Sequence, residues 1–263
     1  MSGISISNFK RSVNDLPPRI VLMGVEKIGK STFAAQFPDP VFIPIRGEQG
    51  IDAIDTTTAP LVTEYPQLIE TLGVLYGEDH QFKTVVIDSV STLEPLVWDH
   101  TCKTVATDKG SYVTGIEAYG YGKGYTNALQ FWREILDGLD ALRVEKKMAC
   151  ILIGHVKVKQ FNDPIADPYD QYQLDINEKA ANMLYRWSDC ILFANRKVIS
   201  KTIDGGFNKK VTHAIGKGDP MLYTSKRPAH PGGGRGVYGQ LPYELNLNYE
   251  DFTNAINQAK NGT

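Results

Sequence analysis

The sequence predicts an α/β fold, a mostly parallel sheet with helices on its faces, and three observations carry that expectation. Short apolar runs alternate with segments whose apolar residues recur at helical spacing, the order that yields parallel strands joined by crossover helices. Between the first run and the first helical segment lies GVEKIGKS, residues 24–31, which fits G-x-x-x-x-G-K-[ST]. A later run, TVVID at 84–88, ends on an acid, as a buried strand does when it presents a carboxylate at the carboxyl edge of a sheet.

Taken in order, RIVLM at 19–23 reads as a buried parallel strand, and 31–37 as a helix stopped by Pro38. Residues 41–45 form a second strand, whose Pro44 implies that its N–H is not needed by the ladder there. Leu68, Leu72 and Leu75 mark one face of a helix over 67–76, followed by the strand at 84–88. A long helix over 125–144 carries Leu129, Trp132, Ile135, Leu139 and Leu142 on one stripe, which reads as core packing. Strands at 149–154 and 190–194 enclose a helix over 178–187 that buries Ala181, Leu184 and Trp187. Beyond Asn195 the alternation stops; 197–203 and 210–215, joined through Asp204-Gly205-Gly206, read as a β-hairpin. Gly232 to Gly234 read as a flexible loop and 249–260 as a closing helix. The expected organisation is an arm over 1–17, an ATP-binding core over 18–245 that includes a basic hairpin at 196–216, and a helix and tail over 246–263.

Composition narrows the function classes. With 263 residues and 42% hydrophobic content the chain can bury a full core, and a net charge of −2 makes any nucleic-acid contact a local feature. Cys102, Cys150 and Cys190 are widely spaced in apolar surroundings, which points to reduced core thiols in a cytoplasmic protein. No apolar run is long enough for a membrane span, and the polar start resembles no signal peptide.

The motif assigns chemistry position by position. Backbone N–H groups of Gly24, Val25, Glu26, Lys27, Ile28 and Gly29, with Lys30, Ser31 and Thr32, are the expected cradle for ATP phosphates. Lys30, read as an exposed charge on the loop, meets the β/γ oxygens, and Ser31 and Asp88 are the expected Mg²⁺ ligands. Glu26 and Lys27 stand where many ATPases have Pro and Gly, a departure expected to slow turnover or alter nucleotide preference. His155, at the tip of the strand 149–154, can hydrogen-bond a phosphate oxygen through either nitrogen.

In order along the chain, GVEKIGKS, GEQGIDAI at 47–54, TVVIDS at 84–89, AYGYGKGY at 118–125, ILIGH at 151–155, FNDPIADPYDQYQL at 161–174 and SDCILFAN at 188–195 make an ordered set. It resembles the RecA-like recombinase core, and more closely the AAA-family ATP-binding proteins of bacteriophages that act as RecA-like single-strand annealing proteins. The resemblance implies a RecA-like P-loop NTPase core, ATP hydrolysis with Mg²⁺, assembly of copies into a ring or filament, and a place in the cytoplasm of a host bacterium. It also implies a partner, single-stranded DNA, and a working neighbour, a phage single-strand-binding protein. The catalytic base is expected in the loop after the second strand, at Glu48; Arg46-Gly47 makes the spacing irregular, and Glu94 stays open as the competitor. His155 is the expected sensor that couples the γ-phosphate to a mobile loop over 156–174. Lys226 and Arg227 fall in the segment that reaches a neighbour's ATP in RecA-like assemblies, where they would act in trans. Ile4, Ile6 and Phe9 are candidates to pair with a neighbouring core, and no separate N-terminal DNA-binding domain is expected in the roughly eighteen residues before the first strand.

Residue type supports two DNA contacts. Lys157, Lys159 and Phe161, then Tyr121 and Lys123, interleave cations with rings, the combination that pairs phosphates with charge and bases with stacking surfaces. Residues 196–236 hold nine Lys/Arg and two acids, so one basic face is expected, for a phosphate backbone or for a neighbouring subunit. The runner-up reading is a DNA-independent regulatory or partner-remodelling ATPase, and a third is a nucleotide-binding scaffold.

Overall fold

The computed structural model describes residues 5–6, 9, 16–48, 50–164, 167–197 and 218–262, and the backbone alone at 199–204 and 210–215. Strand β1 (Arg19–Gly24) leads through the glycine loop into helix α1 (Lys30–Ala35), and β2 (Pro40–Pro44) is followed by the short β3 (Thr57–Thr58) and α2 (Tyr65–Gly77). Pro44 lies past the two residues that β3 pairs with β2, so its missing N–H leaves no gap on that side. Then come β4 (Thr84–Asp88), α3 (Val90–Thr104), α4 (Lys123–Glu145) and β5 (Ala149–Gly154). The helix α3 has no counterpart in the elements expected from sequence, because Pro95 reads as a helix stop and Glu94 and Thr101 put polar residues on its buried side.

The expected mobile loop over 156–174 is instead an antiparallel hairpin, β6 (Val156–Phe161) with β7 (Tyr169–Leu174). Alternation marks only Val156 to Lys159 of β6, while β7 is largely polar without a regular period, so the pairing is not evident from the sequence. Helix α5 (Glu178–Trp187) and strand β8 (Cys190–Arg196) follow. Trp187 is only half-buried, with the Arg19 guanidinium 5.5 Å from its ring centroid, rather than a core residue. Strands β9 (Ile199–Asp204) and β10 (Lys210–Ile215) form the expected antiparallel hairpin.

The remaining elements are β11 (Pro220–Tyr223), β12 (Gly233–Gly234), β13 (Glu244–Asn246) and α6 (Tyr249–Asn261). The glycine run expected to be a flexible loop is packed: β12 pairs with β8, and a Cβ on Gly234 would come within 2.5 Å of Tyr238.

The main sheet runs β13-β11-β8-β1-β5-β4-β2-β3, with β12 also on β8; β8 through β3 are parallel, and β11, β12 and β13 are antiparallel additions. Alternation along each strand feeds two cores. Val21, Met23, Val85, Ile87 and Leu152 meet α2 to α5 around Trp132, whereas Ile20, Leu22, Val86 and Ile153 meet α1 and α6 around Phe33. Phe252 of α6 contacts Phe33 edge-on at 5.8 Å, so the C-terminal helix belongs to the second core.

At the amino edge Asp189 binds Arg19 (2.9 Å) and Arg143 (3.2 Å). Cys102, Cys150 and Cys190 are free and buried, and burial pushes the Cys150 and Cys190 thiols up. No helix among the described residues is long and apolar enough to cross a membrane.

Candidate active site

The strand order brings the carboxyl ends of β1, β5, β4 and β2 side by side, which is where open α/β sheets bind ligands. Gly24 ends β1, and it sits so close to β8 that a Cβ there would come within 2.3 Å of the Ala194 carbonyl oxygen. The loop turns through Lys27 (φ 54°) and Gly29 (φ 108°). The first occupies, with a side chain, a left-handed position that glycine takes without penalty. Glu26 and Lys27 are exposed, and the Ile28 side chain is in the second core, so only its backbone is available to a ligand.

Lys30 is buried rather than exposed, at 6% accessibility, and its Nζ donates to the carbonyls of Gly24 and Val25, both at 3.0 Å. Burial lowers its pKa against the pull of Asp88 and Glu48, so an anion in the loop would relieve the desolvation that the ammonium bears. Ser31, on the first turn of α1, donates to Asp88 Oδ2 at 2.6 Å. That hydroxyl and carboxylate are a hard oxygen donor pair, and burial raises the Asp88 pKa, a penalty that a divalent cation offsets. The residues therefore fit Mg²⁺ and the phosphates of ATP. Thr32 is exposed on the same turn.

Glu48 follows β2 and reaches the same edge. Its Oε1 accepts from Ser89 Oγ at 2.6 Å and lies 2.7 Å from His155 Nε2. Among the described residues Oε2 has no hydrogen-bond partner, which leaves it available to a water proton. The His155 bond, more than the Ser89 bond, holds the Glu48 carboxyl below its usual range against the opposing effect of burial, and the same contact raises the His155 pKa. His155 is tied down at its own backbone, whose N–H donates to Ser91 Oγ at 3.0 Å, while its Nδ1 is buried without a partner among the described residues. Sequence reasoning does not single out Ser89 and Ser91; the only signal is their place directly after the acid of TVVID.

The competitor Glu94 is elsewhere. It is 4% exposed on α3, and both its oxygens accept from the backbone N–H of Asn177, at 2.8 and 2.9 Å, under the start of α5. Its bonds are to the frame of the fold and not to the phosphate loop.

The other expected site residues are not gathered here. Lys157 and Lys159 project from β6 toward the start of α5, where they meet Asp175 (3.2 Å) and Glu178 (3.6 Å). Phe161 lies against Tyr169, ring centroids 5.5 Å apart, with Lys226 Nζ 5.7 Å from its ring. Arg227 stacks over Tyr243 at 4.2 Å within the same chain. The loop that carries these two cations is bound to the hairpin, since Tyr172 N donates to Ala229 O and Gln171 Nε2 to Pro228 O. Tyr121 is fully exposed at φ 49°, and Lys123 pairs with Asp108. Ile6 and Phe9 are exposed; Ile4 lies outside the described residues.

The described cations of 196–236 do not share one face. Arg196 is at the carboxyl end of β8 and Lys197 pairs with Glu244, whereas Arg235 bonds Asp189 and Arg186 carbonyls at the opposite end. Lys201, Lys209, Lys210 and Lys217 have side chains outside the described residues.

No curated protein matches the chain. A family model described as an AAA domain matches residues 16–236, from the residues just before β1 through β12, and so takes in the phosphate loop, Glu48, Asp88 and His155. With that span and this geometry, the chain belongs to the AAA domain family of nucleotide-binding P-loop ATPases.

Proposed function

We propose that the chain is a RecA-like ATPase that binds single-stranded DNA and promotes annealing or strand pairing, in phage recombination or replication, through copies assembled as a ring or filament in the host cytoplasm. One observation carries the reading: His155, which contacts the candidate base Glu48, is followed at once by the hairpin bearing Lys157, Lys159 and Phe161. A change at the phosphates that alters the Glu48–His155 contact acts directly on the first residue of a strand with DNA-binding chemistry.

In this mechanism Lys30 leaves the loop carbonyls for the β/γ oxygens, and the loop N–H groups orient the chain of phosphates. Ser31 and Asp88 would hold Mg²⁺, which would supply charge neutralisation at the phosphates. Glu48, kept ionised by His155 and Ser89, accepts a proton from the attacking water through Oε2. Lys226 and Arg227 would have to leave Phe161 and Tyr243 to act on a neighbour's ATP. A phage single-strand-binding protein fits as the factor that presents the strand.

The paired state of Lys157 and Lys159 favours a second reading, a partner-remodelling ATPase that does not use DNA. ATP turnover with and without an oligonucleotide separates the two. The first reading requires single-stranded DNA to change the rate or the affinity for ATP, and identical kinetics in both conditions would leave the second.

A further inference from the structure

Between the β6–β7 hairpin and the first half of α5 lies a groove of about 710 Å³, lined also by Gly122 and Tyr125 at the start of α4. Two of its cations are balanced within the chain, because Lys157 and Lys159 meet Asp175 and Glu178, and the third, Lys179, has its Nζ engaged by Thr126 Oγ1 at 2.6 Å. A floor of this kind is poorly suited to a run of phosphates. It is rich instead in carboxamides. Gln171 is engaged by Pro228 and the Asn177 oxygen by Lys179 N, but the half-buried Gln173 amide, opposite Lys157 in the ladder, has no partner among the described residues. Asn182 lines the same groove from α5, also unbonded through its side chain among the described residues, and Tyr125 and Tyr185 line it as well.

A carboxamide offers a donor and an acceptor side by side, and an unbonded, half-buried one gains most from a ligand that supplies the complement. A neutral, planar heterocycle with adjacent donor and acceptor atoms meets all of these features. We infer that the groove receives one unstacked base of a single DNA strand, with Gln173 bonding its edge and the phosphates passing outside the groove, where one of them takes the exposed Lys159 from Glu178. This rests on the single-strand reading above and adds to it a base-binding pocket distinct from the charged rim. Because every base has such an edge, the pocket takes a base without selecting a sequence.

The test uses the full chain with Mg²⁺ and a non-hydrolysable ATP analogue at low salt. Two fluorescent oligonucleotides of equal length and charge are compared, one of thymidines and one in which most positions are abasic. The wild type should bind the thymidine strand about tenfold more tightly, within the range for a stacked and bonded base. Gln173→Leu should bring the thymidine strand down toward the abasic one with the salt slope unchanged. Lys159→Ala should flatten the slope and keep the preference. Equal binding of both strands by the wild type overturns the groove and leaves DNA binding standing, and it needs no variant to fold. A Gln173→Leu protein that keeps the full preference also overturns it. No binding of either strand overturns the groove and the single-strand reading together.

Discussion

Replacing Glu94 by Gln should remove a pH dependence of stability that the wild-type fold carries. The carboxyl is buried under α5, and burial pushes its pKa from the ordinary 4.5 up to about 7, with the Asn177 N–H offsetting part of that penalty. Between those values the folded state keeps a proton that the unfolded chain has released, so stability falls as pH rises. The contribution is complete below the unfolded value and lost above about 7. A shift of this size corresponds to roughly 3 kcal/mol, at about 1.4 kcal/mol for each tenfold change in proton affinity. Urea unfolding of wild type and Glu94→Gln at about pH 5 and pH 8, at one ionic strength, measures it. The wild type should lose roughly 2 to 3 kcal/mol more than the variant over that interval. Parallel losses would refute the assignment of a buried, protonated Glu94. The variant should also keep its ATP turnover, because Glu94 bonds the frame of the fold; a folded but inactive Glu94→Gln protein would return the role of base to Glu94.

Lys30→Ala should abolish tight ATP binding by titration calorimetry, since it removes the ammonium held by Gly24 O and Val25 O; the circular dichroism spectrum should be unchanged. Glu48→Gln should bind ATP normally and hydrolyse it about a hundredfold more slowly in single-turnover assays, the scale of a positioned acid-base group; unchanged turnover would exclude Glu48. Gly24→Ala should destabilise the fold by roughly 1 to 3 kcal/mol in urea, because the added Cβ meets the Ala194 backbone and β1 must part from β8. The double variant Lys157→Ala, Lys159→Ala should weaken single-strand binding for all sequences. It should also lower the salt slope by about 0.7 for each phosphate that the protein no longer neutralises, measured by fluorescence anisotropy.

How far the sequence is legible depends on how local each feature is. The strand at 149–154 and the helix at 178–187 match the structure residue for residue, because each is an uninterrupted pattern with clear ends. Helix α3 is hidden in the sequence because Pro95 reads as a helix stop and the polar Glu94 and Thr101 lie on its buried side, although tertiary packing buries Leu93, Val97 and Cys102. The β6–β7 hairpin carries a weak strand signal, because β6 alternates only over Val156-Lys157-Val158-Lys159 and β7 mixes Tyr169, Tyr172 and Leu174 with Asp170, Gln171 and Gln173 in no regular period. Glu48 as candidate base follows from the order of motifs, but its partners Ser89 and His155 are 41 and 107 residues away in sequence.

By itself the sequence determined the phosphate loop, the acid at the end of TVVID, the parallel α/β class and the apolar face of the long helix α4, because each depends on the conformation of residues adjacent in the chain. Only the tertiary structure decided that Lys30 is buried, that Glu94 supports α5, that Lys157 and Lys159 are already paired, and that Glu48, Ser89 and His155 converge on one oxygen. Those contacts follow from the strand order β1-β5-β4-β2, which sets side by side the ends of strands that are distant in sequence. No local periodicity encodes which strand end becomes the neighbour of which.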